Sequence, residues 1–208
     1  MAAPQFHVSL ANIKADPVTR RPYRMSARAA AAAATGERIL DAAVAVFFET
    51  ADLPLDDVAA RAGVTVQTVI RRFGGREGLF AAALERESGR VRDQRDTAPV
   101  GDVAAAVRVL VDHYEDYGDR VLALLAVESR SPAAGQVVAQ GRLLHRAWCE
   151  RVFAPALAGL DGTDRARRLA QLVAVADVYT WKLLRRDAGL PRDDVELALR
   201  ELLLMGDR

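Results

Sequence analysis

Residues 55–80 read LDDVAARAGVTVQTVIRRFGGREGLF, and this stretch decides the fold. Leu55, Val58, Ala59 and Ala62 recur at helical spacing and predict a short helix over 55–62. Gly63 follows where a tight turn takes a left-handed residue. Thr65 suits the N-cap of a second short helix. Val66, Val69 and Ile70 are expected on its inner side, with Phe73 just beyond, and Gly74-Gly75 stops it. Two short helices joined by a tight glycine turn make a helix-turn-helix. The outer side of the second helix then carries Thr65, Gln67, Thr68, Arg71 and Arg72. Glutamine pairs with adenine and arginine with guanine through bidentate contacts. Thr68 and Arg76 suit phosphates, which fix register without reading sequence. Three arginines and no acid lie between Thr65 and Arg76, in a chain whose formal charge is only +1. Any nucleic-acid surface must therefore come from such local clustering. A solvated helix bearing a few arginines is the plainer alternative.

Upstream, Leu40, Ala43, Val44, Phe47 and Phe48 form one stripe and predict a helix over 37–50. Thr35 is the expected N-cap, Glu37 suits the positive end of the helix dipole, and Asp52-Leu53-Pro54 ends the helix. Residues 1–34 are expected to be a flexible basic arm, with Pro4, Pro17 and Pro22 and the cations Lys14, Arg20, Arg21, Arg24 and Arg28. Such an arm either touches DNA or is simply solvated. Residues 29–34, all alanine, favour helix by propensity and can extend the first helix backwards. The Arg20-Arg21 pair is not followed by an export-type apolar run, because Glu37 and Arg38 soon interrupt it.

Downstream, helices are expected over 76–95, 102–117, 119–128, 133–157, 163–187 and 192–205, making about nine in total. The whole reads as an all-α protein: arm 1–34, a three-helix helix-turn-helix domain 35–80, and a helical ligand-binding and dimerisation domain 81–208. The last two helices are apolar on more than one side. In the final one, Val195, Ala198, Leu199, Leu202 and Leu203 form a stripe, while Leu197 and Leu204 lie off it. Burial on two sides fits either the middle of a monomeric core or a homodimer interface over about 163–205, and we favour the dimer. Two recognition helices then meet half-sites roughly 34 Å apart.

The single cysteine, Cys149, excludes an internal disulfide and a cysteine-rich zinc site, and suggests a reducing, cytoplasmic setting. No apolar run reaches membrane-spanning length. The three histidines lack metal-ligand spacing, and no cofactor motif is evident. Cys149 and His145 are neighbours at i,i+4, a thiolate–imidazole pair in principle, although a buried cysteine is the commoner reading. No enzyme is expected.

The segment 37–80, with ERILDAAVAVFFE ahead of the helix-turn-helix, resembles the DNA-binding domain of TetR-type (TetR/AcrR) transcriptional regulators. HRAWCERVFAPAL (residues 145–157) is similar to segments of actinobacterial-type members. The resemblance implies that Thr65, Val66 and Gln67 approach bases, that Thr68 contacts phosphate, and that Arg76 stands for a common phosphate-binding lysine. Ile70 and Arg72 replace a common tyrosine and histidine that touch the DNA backbone. It further implies a ligand-responsive regulator, expected to be a repressor. Such a protein binds a palindromic double-stranded operator as a homodimer and is released by a small-molecule effector. Candidate pocket residues are Tyr114, His145, Trp148 and Tyr179. The three aromatics read more readily as core, and His145 is either a satisfied core histidine or a polar pocket group. The alternative is a helical small-molecule-binding or interaction protein whose DNA domain has degenerated, a reading that Ile70 keeps open.

Overall fold

The computed structural model describes residues 20–205, with side chains from Arg28 onward. The described residues form nine α-helices and no strand. They are α1 (Arg20–Thr50), α2 (Leu55–Ala62), α3 (Val66–Phe73), α4 (Arg76–Arg95), α5 (Val103–Val127), α6 (Pro132–Val152), α7 (Gly162–Val175), α8 (Val178–Lys182) and α9 (Arg192–Leu204). The chain divides into two units at Arg38/Ile39. Of the first unit, the described part is the opening stretch of α1, from Arg20 to Arg38.

Two apolar cores organise the second unit. One joins Ile39, Ala43, Val46 and Phe47 of α1 to Val58, Ala59 and Ala62 of α2, Val69 of α3 and Leu79 of α4. Leu124 of α5 and Ala134 and Val138 of α6 complete it, so α1, α2 and α3 do not close their core alone. The Ser131 hydroxyl reinforces the join by donating to the Ala51 carbonyl at 2.8 Å. The other core packs Val107, Leu110 and Val111 of α5 with Trp148 and Val152 of α6, Leu169 and Leu172 of α7, Trp181 of α8 and Leu199 of α9.

Several expected boundaries are corrected. Helix α1 begins at Arg20: the alanine run 29–34 carries the helix back as its propensity suggests, and residues 20–28, expected in the flexible arm, are helical too. Residues 1–19 lie outside the described residues. Thr35 is accordingly no N-cap: it sits inside α1, and its hydroxyl donates to the Ala31 carbonyl one turn back. The two helices expected over 102–128 are one helix, α5. Gly118, read as a break, instead lets the Trp181 ring lie against the backbone: a Cβ there would stand 2.5 Å from Trp181 Cζ3. Helix α6 stops at Val152, and a 3-10 turn (Ala154–Leu157) carrying Pro155 follows. The helix expected over 163–187 breaks at Ala176. Asp177 then caps α8, accepting a hydrogen bond from the Tyr179 amide at 2.9 Å. A π-turn, Leu183–Asp187, follows α8.

Candidate nucleic-acid interface

Local chemistry builds the helix-turn-helix. Gly63 adopts φ 65°, which an L side chain resists. Its amide donates to the Ala60 carbonyl at 3.2 Å, and the Val64 amide to the Ala59 carbonyl at 3.0 Å. These two bonds satisfy carbonyls that would otherwise be orphaned at the end of α2. One residue on, Thr65 Oγ1 accepts from the Thr68 amide at 3.2 Å and lies 3.0 Å from the Thr68 hydroxyl. Val69 is fully buried and anchors α3 to the core, with Leu79 behind it. Gly74 (φ 81°) closes the helix by donating to the Ile70 carbonyl at 2.8 Å.

The helix thus held presents Thr65, Gln67, Arg71 and Arg72 to solvent, and Arg76 is exposed at the start of α4. Val66 and Thr68 are half-buried. Ile70 departs from expectation: it is 38% exposed and lies outside the core. The buried face of so short a helix narrows to Val69, flanked by Val66 and Phe73. Ile70 therefore joins the outward row with Gln67 and Arg71.

Two ion pairs brace the rim. Arg61 of α2 grips Glu49 of α1 through both guanidinium nitrogens, at 2.7 and 2.9 Å. That contact holds the Glu49 carboxyl below its usual range. Arg76 pairs with Asp52 in the turn after α1. Asp52 also accepts the Leu53 amide at 2.7 Å. The Arg76 contact, then that amide, hold its carboxyl below the usual range.

Residues 39–83 match the model of the bacterial regulatory proteins of the tetR family. These residues form a DNA-binding domain of the tetR family. The fold beyond the tetR-family domain has solved counterparts too. A transcriptional regulator from Rhodococcus sp. Rha1 is 22% identical, with 82% of this chain and 96% of that one covered and a TM-score of 0.59. A TetR/AcrR-family transcriptional regulator from Thermobifida fusca is 22% identical, with 83% and 98% covered and a TM-score of 0.53. The fatty acid degradation regulator FadR from Bacillus halodurans is 19% identical, with 83% and 99% covered and a TM-score of 0.52. At such identities the likeness establishes the fold. The search of curated proteins found no match. Among the described residues no helix is long and apolar enough to cross a membrane.

The residues singled out for a ligand separate into two groups. Tyr179 is 53% exposed on α8 and stands apart. Tyr114, His145 and Trp148 are buried and gather around a residue that the sequence reading missed, Arg95, at the end of α4. Arg95 is only 5% exposed. Its guanidinium carbon lies 5.5 Å from the Tyr114 ring centre and 5.2 Å from that of Trp148. Its Nη1 donates to His145 Nδ1 at 2.9 Å. The Trp148 indole N–H donates to the Arg95 carbonyl at 2.9 Å, and the Tyr114 hydroxyl to the Ala176 carbonyl at 2.9 Å. The sequence carries no signal for Arg95; only the folded chain shows that Ser88, seven residues earlier on the same side of α4, is buried as well.

This cluster also decides the Cys149–His145 question. Arg95 only donates, so His145 Nδ1 is the acceptor, and Nε2 carries the proton that goes to the Val173 carbonyl at 3.2 Å. Nε2, the atom 3.7 Å from Cys149 Sγ, has no lone pair to accept the thiol proton. Burial pushes the Cys149 thiol up to about 12. The pair is therefore not arranged as a nucleophile and its base.

Proposed function

We propose that the protein is a ligand-responsive transcriptional regulator, acting as a repressor in the cytoplasm. As a homodimer it binds a palindromic operator, and a small molecule releases it. The observation that carries the reading is α3 itself: a capped, core-anchored helix presenting Gln67, Arg71 and Arg72 with Arg76 at its rim. Thr65, Val66, Gln67 and Arg71 approach base edges, while Thr68, Arg72 and Arg76 hold phosphates.

Support for the dimer comes from the far end of the fold. Leu183, Leu197, Leu202, Leu204 and Met205 are exposed on or beside α8 and α9. Large apolar side chains grouped on consecutive elements favour a protein partner, and a second copy supplies the two-fold symmetry a palindrome needs. The effector acts by preferring a state in which the two recognition helices are mis-spaced, and its leverage equals its differential affinity for the two states.

The test is a binding titration of the purified protein against the DNA upstream of its own coding sequence, at two salt concentrations. Sequence-preferring binding that weakens with salt is expected. Binding indifferent to sequence would leave only the degenerate-domain alternative.

A further inference from the structure

Arg95 is a buried cation whose direct contacts are neutral groups; the Asp177 carboxylate acts on its neighbours Tyr114 and His145 without pairing with Arg95. Its hydrogen-bond partner is a neutral imidazole, and its flat faces meet Tyr114 and Trp148. Among the described residues it forms no ion pair within 4 Å, and its Nε is fully buried without a hydrogen-bond partner. Arginine ion pairs elsewhere on the fold, such as Arg61–Glu49 and Arg142–Glu128, reach solvent, whereas a charge held away from water calls for a counter-charge. Aromatic faces offset part of that demand but do not supply an acceptor for the idle N–H.

We propose that the Arg95 cluster is the head-group site for a small organic carboxylate with a flat or apolar body. A single guanidinium matches a monoanion in charge, and its planar fork matches a carboxylate in shape. The Tyr114 and Trp148 rings suit the body of such a compound. The site has a natural route to the DNA end, because Arg95 closes the helix whose first residue is Arg76. Around it converge α5 through Tyr114, α6 through His145 and Trp148, and the α7–α8 break through the Ala176 and Val173 carbonyls. An anion drawing Arg95 from His145 must shift the end of α4 against those three elements. This inference rests on the effector-release reading above.

The experiment uses the full chain and three probes, benzoate, phenylacetate and indole-3-acetate, each beside its uncharged amide. Thermal unfolding and tryptophan fluorescence report binding, and operator release is followed separately. At least one carboxylate is expected to bind at millimolar concentration, about tenfold or more tightly than its amide, with a similar loss in Arg95→Gln. Arg95→Met guards against misfolding: without ligand it should unfold at or above the wild-type temperature, since it removes an uncompensated charge. Amides binding as well as acids, Arg95→Gln binding as wild type, no carboxylate binding at all, or Arg95→Met unfolding many degrees lower would each overturn the site. Carboxylate binding through Arg95 with no effect on operator affinity would sink the release mechanism and spare the site. Operator release by an amide, unchanged in Arg95→Gln, would do the reverse.

Discussion

Arg76, the cation at the rim of the recognition helix, is held by the carboxylate of Asp52 from the turn that ends α1. The pair is half-exposed, so it contributes little to stability, on the order of 0–1 kcal/mol. Its weight falls on DNA binding, because a phosphate must displace Asp52 before it can take Arg76, and an acid then remains at the phosphate rim. Asp52→Asn removes the charge but keeps the oxygen that accepts the Leu53 amide. We expect operator affinity to rise by roughly fivefold, which corresponds to about 1 kcal/mol. Anisotropy titrations of wild type and variant at one salt concentration check this; equal affinities would show that Arg76 is not used.

Gln67 and Arg76 should fail in different ways. Gln67→Ala removes a base contact, and discrimination at one operator position should drop by about 1–3 kcal/mol. Arg76→Ala removes a phosphate contact, so all sequences should weaken together, and the slope of log affinity against log salt should fall by about 1. Measuring both variants on the operator and on a scrambled duplex separates the two roles.

The helix-turn-helix was legible because its signals are local. A left-handed glycine, a threonine cap and a buried valine act within a few residues of one another, and each holds in the folded chain. Less legible was whatever depends on partners far along the sequence. Gly118 resembles a break until Trp181, more than sixty residues on, is found packed against it. The break at Ala176 has neither glycine nor proline to mark it; the Tyr114 hydroxyl takes the Ala176 carbonyl and Asp177 restarts the helix. Arg95 reads as the solvated end of a charged helix, and only the convergence of three other helices turns it into a buried charge. Tyr114, His145 and Trp148 stand out on their stripes, but the arginine that unites them does not.

Stability should depend on pH through two buried histidines. Burial, then the Arg95 charge, hold His145 down at about 4, against the opposing pull of the Val173 carbonyl and Asp177. Burial, then Arg95 and His145, hold His113 down at about 2. In the unfolded chain both take a proton near 6.5. The unfolded state therefore binds more protons below that value, and stability falls as pH falls from 6.5 towards 4. Each histidine should cost roughly 1.4 kcal/mol per pH unit within that window. Thermal unfolding at pH 7.5, 6 and 5 tests this, with His113→Asn, which keeps a donor to Gln94, expected to lessen the slope by about half. A melting temperature that is flat across the window would show that neither histidine is buried as described.

Gly118→Ala sets two effects against each other. Alanine favours the interior of α5 by about 1 kcal/mol over glycine. The added Cβ, however, would lie 2.5 Å from Cζ3 and 2.7 Å from Cη2 of Trp181, a fully buried ring. That ring cannot turn aside freely. Its indole N–H reaches Glu115 at 3.3 Å, and the Arg186 guanidinium lies 4.5 Å from its centre. Overpacking in a core of this kind costs about 1–3 kcal/mol, so the clash should outweigh the propensity gain. We expect net destabilisation in chemical denaturation, with Trp181 fluorescence altered in the folded state. Glycine 89 provides the control: it also lies inside a helix, but a Cβ there meets nothing within 4 Å. Gly89→Ala should stabilise the protein slightly, and the opposite signs of the two substitutions would trace the effect to the Trp181 contact.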